Sequence, residues 1–214
     1  MDGTDSHPVS ADTDDPERIA YVLDILSSVG SVLLVGALLF AISGVWPPLV
    51  AVESSSMDPN IQQSDMVFVM SEQRFAGEQA TNGVVTAQQA DRYTRFSGSG
   101  DVIVYEPNGN ERRTPVIHRA QLWVEADENW YDRADEDAVG TADNCRELRN
   151  CPAPHAGFIT KGDNERTNGA YDQASGISGV VRPEWVVGTA EIRIPLLGEI
   201  RLRWNQAGRT VALT

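Results

Sequence analysis

Three consecutive serines followed by Met-Asp-Pro are the residues of this chain best suited to chemistry. This hexad runs from Ser54 to Pro59 and begins two residues after an uncharged stretch, residues 25–52. A serine hydroxyl acts as a nucleophile when a nearby base accepts its proton, and a carboxylate beside that base fixes its tautomer. A cluster of hydroxyl groups just after an apolar segment therefore indicates a nucleophile positioned at a membrane surface.

Two histidines follow the hexad and are candidates for the base. His118 closes a β-like run, residues 114–119, which would hold the imidazole on a rigid element. His155 follows a Pro-Ala-Pro sequence, and such a loop positions a base poorly. A lone histidine at the end of a strand is more often a structural residue than a catalytic one. Residue type and spacing alone therefore leave the role of His118 open.

The two cysteines, Cys145 and Cys151, lie close together in an acidic stretch. In an extracytoplasmic loop, two cysteines at short range indicate a disulfide that staples the loop. Free thiols are a second interpretation. A metal site with His155 as a third ligand is a third, although no further Cys or His pair completes a tetrahedral set.

A long apolar segment precedes the hexad and bears on the compartment. Residues 25–46 contain no ionisable side chain. As a helix they would measure ~33 Å, against ~30 Å of bilayer hydrocarbon. A cleavable signal peptide is the alternative, but the basic n-region is missing and the apolar run is longer than such segments use. The segment therefore predicts one uncleaved membrane anchor that ends at Pro47-Pro48.

The distribution of basic residues predicts the topology. Arg18 lies close to the N-terminal side of the segment, whereas the first basic residue on the other side is Arg74. The positive-inside rule therefore favours a cytoplasmic N-terminus. We predict an acidic, disordered cytoplasmic tail over residues 1–22, a transmembrane helix over residues 23–46 and an extracytoplasmic domain over residues 47–214.

The charge balance of the chain is strongly acidic. It has 31 acidic residues against 17 basic ones, and Lys161 is its one lysine. An acidic, lysine-poor composition is typical of proteins adapted to high salt, where screening weakens the self-repulsion of the surface. The same balance argues against nucleic acid as a partner, because phosphate binding needs clustered Lys and Arg. No motif indicates a cofactor or a resident metal.

The part beyond the anchor is predicted to be one mainly β domain. Its apolar runs are short, rich in β-branched residues and separated by Gly, Pro and Asn. These runs are residues 66–70, 102–105, 115–117, 122–124, 158–160, 186–187 and 192–197. Polar residues 71–100 and acidic residues 127–154 are predicted to be surface insertions. The C-terminal residues 192–204 are predicted to add a closing strand.

Four ordered motifs together resemble type I signal peptidase, in its archaeal and endoplasmic-reticulum branch. They are the Ser54–Pro59 hexad with Asp65, Gly-Asp-Val-Ile-Val at 100–104, Val-Ile-His-Arg at 116–119, and Phe-Ile-Thr-Lys-Gly-Asp-Asn at 158–164 with Asp172. The bacterial branch of this family uses a lysine base, whereas this branch has histidine at that place. The acidic, lysine-poor composition looks haloarchaeal.

The resemblance implies a role for each site residue. Ser56, directly before Met57 in the hexad, would be the nucleophile, and Ser54 would join the Ser56 backbone N–H in an oxyanion hole. His118 would be the general base. Asp163 and Asp172 are both candidates for the carboxylate that orients it, and we assign Asp172 as that partner and Asp163 as a supporting group.

The resemblance also implies a substrate and a location. The substrates would be signal peptides of exported preproteins, with small residues around the cleaved bond, and the partners would be membrane lipid and the protein-export machinery. Val50, Val52, Met57 and Ile61 would shape shallow pockets for the small side chains. Two alternatives remain: a specialised peptidase with few substrates, and a catalytically silent binding or scaffold protein of the same fold.

Overall fold

The computed structural model describes residues 16–74 and 76–195. Within these ranges, a helix up to Ala41 forms one compact unit, and the residues from Ile42 onward form a second. The predictions for the tail before residue 16 and for the C-terminal segment after residue 195 lie outside the described residues.

Helix α1 spans Pro16–Ser43 and therefore starts earlier and ends earlier than the predicted segment, residues 23–46. Proline fits the first turn of a helix, where its missing N–H has no intrahelical partner. Gly44 follows the helix with a φ of 77°, a left-handed conformation that glycine adopts without steric cost. These two residues account for the bounds of the helix.

The part of α1 from Arg18 to Ser43 is long and apolar enough to cross a membrane, with a mean hydropathy of 2.4. Its large side chains, including Leu33 and Leu34, are exposed in the absence of lipid. A helix that is apolar all round needs a partner or a bilayer to cover it. The described N-terminal unit thus has the length and composition of a membrane span.

The second unit is built on a six-stranded antiparallel sheet. Its strands are β1 (Leu49–Ala51), β2 (Met66–Met70), β5 (Val102–Tyr105), β6 (Val116–Val124), β7 (Gly157–Lys161) and β8 (Val186–Ile194). Their order across the sheet is β1-β2-β8-β5-β6-β7. A two-stranded sheet pairs β3 (Thr94–Arg95) with β4 (Gly98–Ser99). The prediction of a mainly β domain behind an N-terminal apolar helix is confirmed.

The burial of side chains in the central strands explains which residues form these strands. All four residues of β5 are buried, because Val102 and Val104 pack in one apolar cluster and Ile103 and Tyr105 pack in another, on the opposite face of the sheet. Strand β6 joins two runs that the sequence separates, residues 115–117 and 122–124, through the buried polar residues His118 and Arg119. The site residues thus sit in the middle of a long strand.

Both insertions also place residues in the core. Val84, from the first insertion, is fully buried in a cluster with Ile103 and Phe158. Trp130, from the second, is fully buried in a separate cluster. Short helices complete the unit: 3-10 turns at Pro107–Gly109, Trp130–Arg133, Glu136–Ala138 and Pro183–Trp185, and helix α2 at Asp172–Ser175.

Candidate active site

The serine hexad forms the loop between β1 and β2. The hydroxyl oxygens of Ser54 and Ser56 lie 3.1 Å apart, within hydrogen-bonding distance. Met57 and Ile61 are fully buried and pack with Val52 in the core, so they anchor the loop. The prediction that these three residues shape substrate pockets is therefore wrong, because their side chains are occupied in the core.

The loop that follows β7 holds the backbone of the hexad. The Asn164 N–H donates to the Ser56 carbonyl at 2.9 Å, and the Asn164 side-chain amide donates to the Ser55 carbonyl at 2.8 Å. A Cβ on Gly162 would lie 2.5 Å from the Ser56 carbonyl oxygen. The close approach of the two loops thus requires glycine at position 162, and it fixes Ser56 against the end of β7.

His118 and Asp172 form a buried pair. The His118 Nδ1 atom lies 2.7 Å from Oδ2 and 2.9 Å from Oδ1 of Asp172. Only 4% of the His118 side chain and none of the Asp172 side chain is exposed. An ionised carboxylate only accepts hydrogen bonds, so Nδ1 carries the proton and donates it. The Nε2 atom then keeps its lone pair, which a general base needs.

Two hydroxyl groups complete the surroundings of Asp172. The Tyr105 hydroxyl donates to Oδ2 at 2.8 Å, and the Thr160 hydroxyl donates to the same oxygen at 2.6 Å. Burial raises the pKa of Tyr105 well above its usual value, and the negative charge of Asp172 raises it further. Sequence reasoning missed both residues; their one signal is a hydroxyl side chain at the end of an apolar run.

Strand geometry puts these groups on one face of the sheet. His118 is opposite Ile103, two residues before Tyr105, and Thr160 is opposite Ala120, two residues after His118. Side chains two apart along a strand, and those directly opposite on its neighbour, share a face. The neighbouring residue Arg119 consequently belongs to the other face.

Asp163 has a different partner from Asp172. Its carboxylate accepts two hydrogen bonds from Arg119, at 2.8 Å from Nε and 2.6 Å from Nη2. It also accepts one at 2.8 Å from the side-chain amide of Asn60, which lies just beyond the hexad. Arg119 Nη1 donates in turn to the carbonyls of Arg95 and Gly100. Asp163 thus joins β6 to the loop that carries the serines.

Replacing Asp163 with asparagine should destabilise the protein, because it leaves the buried Arg119 guanidinium without a countercharge. Removing one member of a buried ion pair costs about 3–5 kcal/mol. Denaturant unfolding followed by tryptophan fluorescence would measure this loss. Asp143→Asn is a suitable control because Asp143 is exposed, and its unfolding midpoint should stay at the wild-type value. A wild-type midpoint for Asp163→Asn would contradict the expected weight of the pair.

The serine loop and the histidine pair are connected through the sheet. No hydrogen bond joins Ser56 Oγ to His118 among residues 16–74 and 76–195. The two are linked indirectly, because Ser56 is bonded to the loop after β7, and β7 pairs with β6, which carries His118. Within the described ranges, the Ser56 hydroxyl and the His118 imidazole therefore belong to separate side-chain hydrogen-bond networks.

The cysteines and the second histidine take no part in this cluster. Cys145 and Cys151 form a disulfide with an S–S distance of 2.00 Å. The His155 ring packs edge-on against Trp185, and its Nδ1 lies 3.0 Å from the Ala156 carbonyl. Across the described ranges, no three His, Cys, Asp or Glu side chains are grouped so that they could hold a metal ion.

The chain is similar in sequence to catalytic subunits of signal peptidase complexes. It is 22% identical over 191 residues to the signal peptidase complex catalytic subunit sec11 of Aspergillus terreus and to that of Emericella nidulans, matches that cover 89% of this chain and 82% of each relative. The corresponding subunit of Aspergillus oryzae is 22% identical over 187 residues. No family model matches the chain. These similarities support a distant relationship to the signal peptidase catalytic subunits.

Proposed function

We propose that this protein is a membrane-anchored serine endopeptidase that removes signal peptides from exported preproteins. The buried contact of 2.7 Å between His118 Nδ1 and Asp172 is the observation that carries the proposal. It is the arrangement that leaves Nε2 free as a base for a serine. The sec11 relatives are catalytic subunits of signal peptidase complexes, and this similarity supports the choice of substrate.

The reaction is acyl transfer through a covalent intermediate. Ser56 Oγ bonds to the scissile carbonyl carbon while its proton passes to His118 Nε2. The peptide C–N bond then breaks, and the same proton goes to the departing amine. Water next attacks the ester and gives a proton to Nε2, and this proton returns to Ser56 as the acyl group leaves. Asp172 stabilises the imidazolium formed in each half of the reaction.

Ser54 and the Ser56 backbone N–H are the proposed oxyanion donors. Charge develops on the carbonyl oxygen when Ser56 attacks, and hydrogen-bond donors aimed at that oxygen stabilise it. The distance of 3.1 Å between the Ser54 and Ser56 hydroxyls supports a donor close to the nucleophile. Ser55 has no assigned role in this chemistry.

The anchor is proposed to bring enzyme and substrate to one surface. Helix α1 would span the membrane with the N-terminus in the cytoplasm, and residues 47–214 would lie outside. Signal peptides also insert in the bilayer, so diffusion is confined to two dimensions and the depth of the cleaved bond is fixed. The exposed Trp46 follows the helix, where an interfacial aromatic side chain contacts lipid headgroups.

Processing of a preprotein by the purified chain in detergent micelles tests the proposal. Mass spectrometry of the products should map one cut after an A-x-A-like sequence. Ser54→Ala should lower kcat by about 10²-fold to 10³-fold, the usual effect of removing one oxyanion donor. Ser55→Ala removes a neighbouring hydroxyl and should process like wild type. Equal rates for Ser54→Ala and Ser55→Ala would rule out the oxyanion role of Ser54, and no cleavage by wild type would refute the function.

A surface adapted to concentrated salt is part of the same proposal. The net charge of −14 produces repulsion that favours unfolding at low ionic strength. Because the Debye length falls from about 10 Å at 0.1 M to about 3 Å at 1 M salt, the melting temperature should rise between these concentrations. Differential scanning fluorimetry in NaCl and in KCl would measure the rise. A melting temperature that falls or stays constant would argue against adaptation to salt.

A further inference from the structure

Asp172 is a buried charge that needs more stabilisation than His118 provides. Its side chain is completely buried. A neutral imidazole contributes a hydrogen bond to this carboxylate but no positive charge. Burying a negative charge is costly unless several hydrogen bonds stabilise the ionised form. Further hydrogen-bond donors to this carboxylate would therefore offset the cost of burying it.

Tyr105 and Thr160 supply these donors from two different strands. Both hydroxyl groups donate to Oδ2 of Asp172, at 2.8 Å and 2.6 Å, and both residues are fully buried. Tyr105 closes β5 and Thr160 lies inside β7, on either side of the strand that carries His118. The orientation of the carboxylate is thus set by the sheet itself as well as by the histidine.

Gln173 fixes the direction in which Thr160 donates. Its side-chain amide nitrogen lies 3.3 Å from Thr160 Oγ1, and its amide oxygen accepts from the Thr160 backbone N–H at 3.0 Å. The same nitrogen donates to the Gly179 carbonyl at 3.0 Å, which fixes the orientation of the amide. Because Thr160 Oγ1 accepts from Gln173, its own proton is free for Asp172.

We propose that Tyr105 and Thr160 are positioning residues that hold the Asp172 carboxylate aligned, so that His118 presents the lone pair of Nε2 to Ser56. This inference rests on the proposed function and adds two residues to its machinery. The hydroxyls touch neither the substrate nor the reacting atoms, and they act only through Asp172. Their contribution is therefore to the rate of the chemical step and not to the binding of the preprotein.

Tyr105 cannot serve as the base in place of His118. Its phenol is surrounded by protein and faces the negative carboxylate of Asp172, and both effects raise its pKa well above the usual value. Arg113 acts on the same phenol in the opposite direction, but more weakly. Tyr105 thus stays protonated at physiological pH and remains a hydrogen-bond donor.

The test compares variants that remove one hydroxyl and keep the shape of the side chain. Tyr105→Phe and Thr160→Val remove the donors, and Thr160→Ser restores one of them. Tyr171→Phe is the matched control, because its buried hydroxyl accepts from the Asp135 N–H at 3.0 Å and makes no contact with Asp172 among the described hydrogen bonds. Melting temperatures of all variants report any loss of stability.

The steady-state kinetics of preprotein cleavage give the first readout. Tyr105→Phe and Thr160→Val should each lower kcat by about tenfold to a hundredfold, the effect of one hydrogen bond to a charged group. KM should remain at the wild-type value, Thr160→Ser should recover most of the loss, and Tyr171→Phe should keep the wild-type kcat. A wild-type kcat in Tyr105→Phe, or an equal loss in Tyr171→Phe, would overturn the proposal.

Proton NMR of the full chain, labelled with ¹⁵N-histidine, gives a readout that does not need activity. The chain has three histidines, so the His118 Nδ1–H resonance can be assigned by comparison with His118→Gln. We expect this resonance to shift in Tyr105→Phe and Thr160→Val and to be unchanged in Tyr171→Phe. If wild type cleaves no preprotein, the proposed function fails, whereas an unchanged resonance in Tyr105→Phe refutes the positioning by itself.

Discussion

Ser56→Ala should reduce preprotein processing by about 10⁴-fold to 10⁶-fold, because it removes the proposed nucleophile, the atom that would form the acyl-enzyme. Losses of this size are typical when the nucleophile of a serine peptidase is deleted. The Met57 side chain and the Asn164 hydrogen bond to the Ser56 carbonyl do not depend on the hydroxyl, so the loop should keep its shape. Single-turnover cleavage, followed by electrophoresis, measures the residual rate.

Two controls make the Ser56 result specific. The melting temperature of Ser56→Ala should equal that of wild type, since the hydroxyl is bonded only to Ser54 among the described residues. Rapid acid quenching of wild type should trap an acyl group on the peptide that contains Ser56, and the variant should trap none. If Ser56→Ala still cleaved the same bond within tenfold of the wild-type rate, Ser56 would not be the nucleophile.

Asp172→Asn should lower kcat by about 10⁴-fold, through the wrong tautomer of His118. The hydroxyls of Tyr105 and Thr160 both donate to Oδ2, so the asparagine carbonyl would occupy that position. Its NH₂ group would then take the place of Oδ1, which lies 2.9 Å from His118 Nδ1, and the carbonyl oxygen, 2.7 Å from Nδ1, would already accept from both hydroxyls. To accept from this NH₂ group, Nδ1 would have to give up its proton, and the proton on Nε2 would block the base.

Asp163→Asn is the matched comparison for Asp172→Asn. Asp163 contacts Arg119 and Asn60, so its replacement leaves the tautomer of His118 unchanged. We expect lower stability and a much smaller fall in kcat, measured under conditions in which the variant is fully folded. The opposite pattern, with kcat lost in Asp163→Asn and kept in Asp172→Asn, would assign the orienting role to Asp163.

The strands that are unbroken apolar runs could be predicted from the sequence, and the interrupted ones could not. Met66–Met70 and Val102–Tyr105 are strands with the same bounds as the predicted runs. Strand β6 contains His118 and Arg119 in its middle, so the alternation of apolar residues stops where the site begins. Polar residues within a buried strand thus interrupt the apolar pattern from which the strand could be predicted.

Sequence patterns also could not predict that the two insertions place residues in the hydrophobic core. Val84 and Trp130 belong to short apolar pairs, Val84-Val85 and Trp130-Tyr131, among polar neighbours, so they give no periodic signal. Their burial depends on contacts with distant parts of the chain. Loop residues that pack as single anchors can be recognised only when the sheet beneath them is known.

Sequence alone could name both aspartates but could not distinguish between them by physical reasoning. Asp163 and Asp172 follow the same strand, and each is a short acidic side chain in a turn-rich segment. Their different partners come from other strands: Arg119 from β6 for Asp163, and Tyr105 from β5 for Asp172. The difference is therefore a property of strand pairing, which no local pattern encodes.

The consecutive placement of His118 and Arg119 on β6 has a consequence for folding. One residue faces the carboxylate of Asp172 and the next faces Asp163, on opposite sides of the sheet. A slip of β6 by one residue would turn every side chain of the strand to the other face. Such a misfolded chain would lose its proposed base together with the Arg119–Asp163 pair that joins β6 to the serine loop, so the proposed cleavage activity would report a correctly paired sheet.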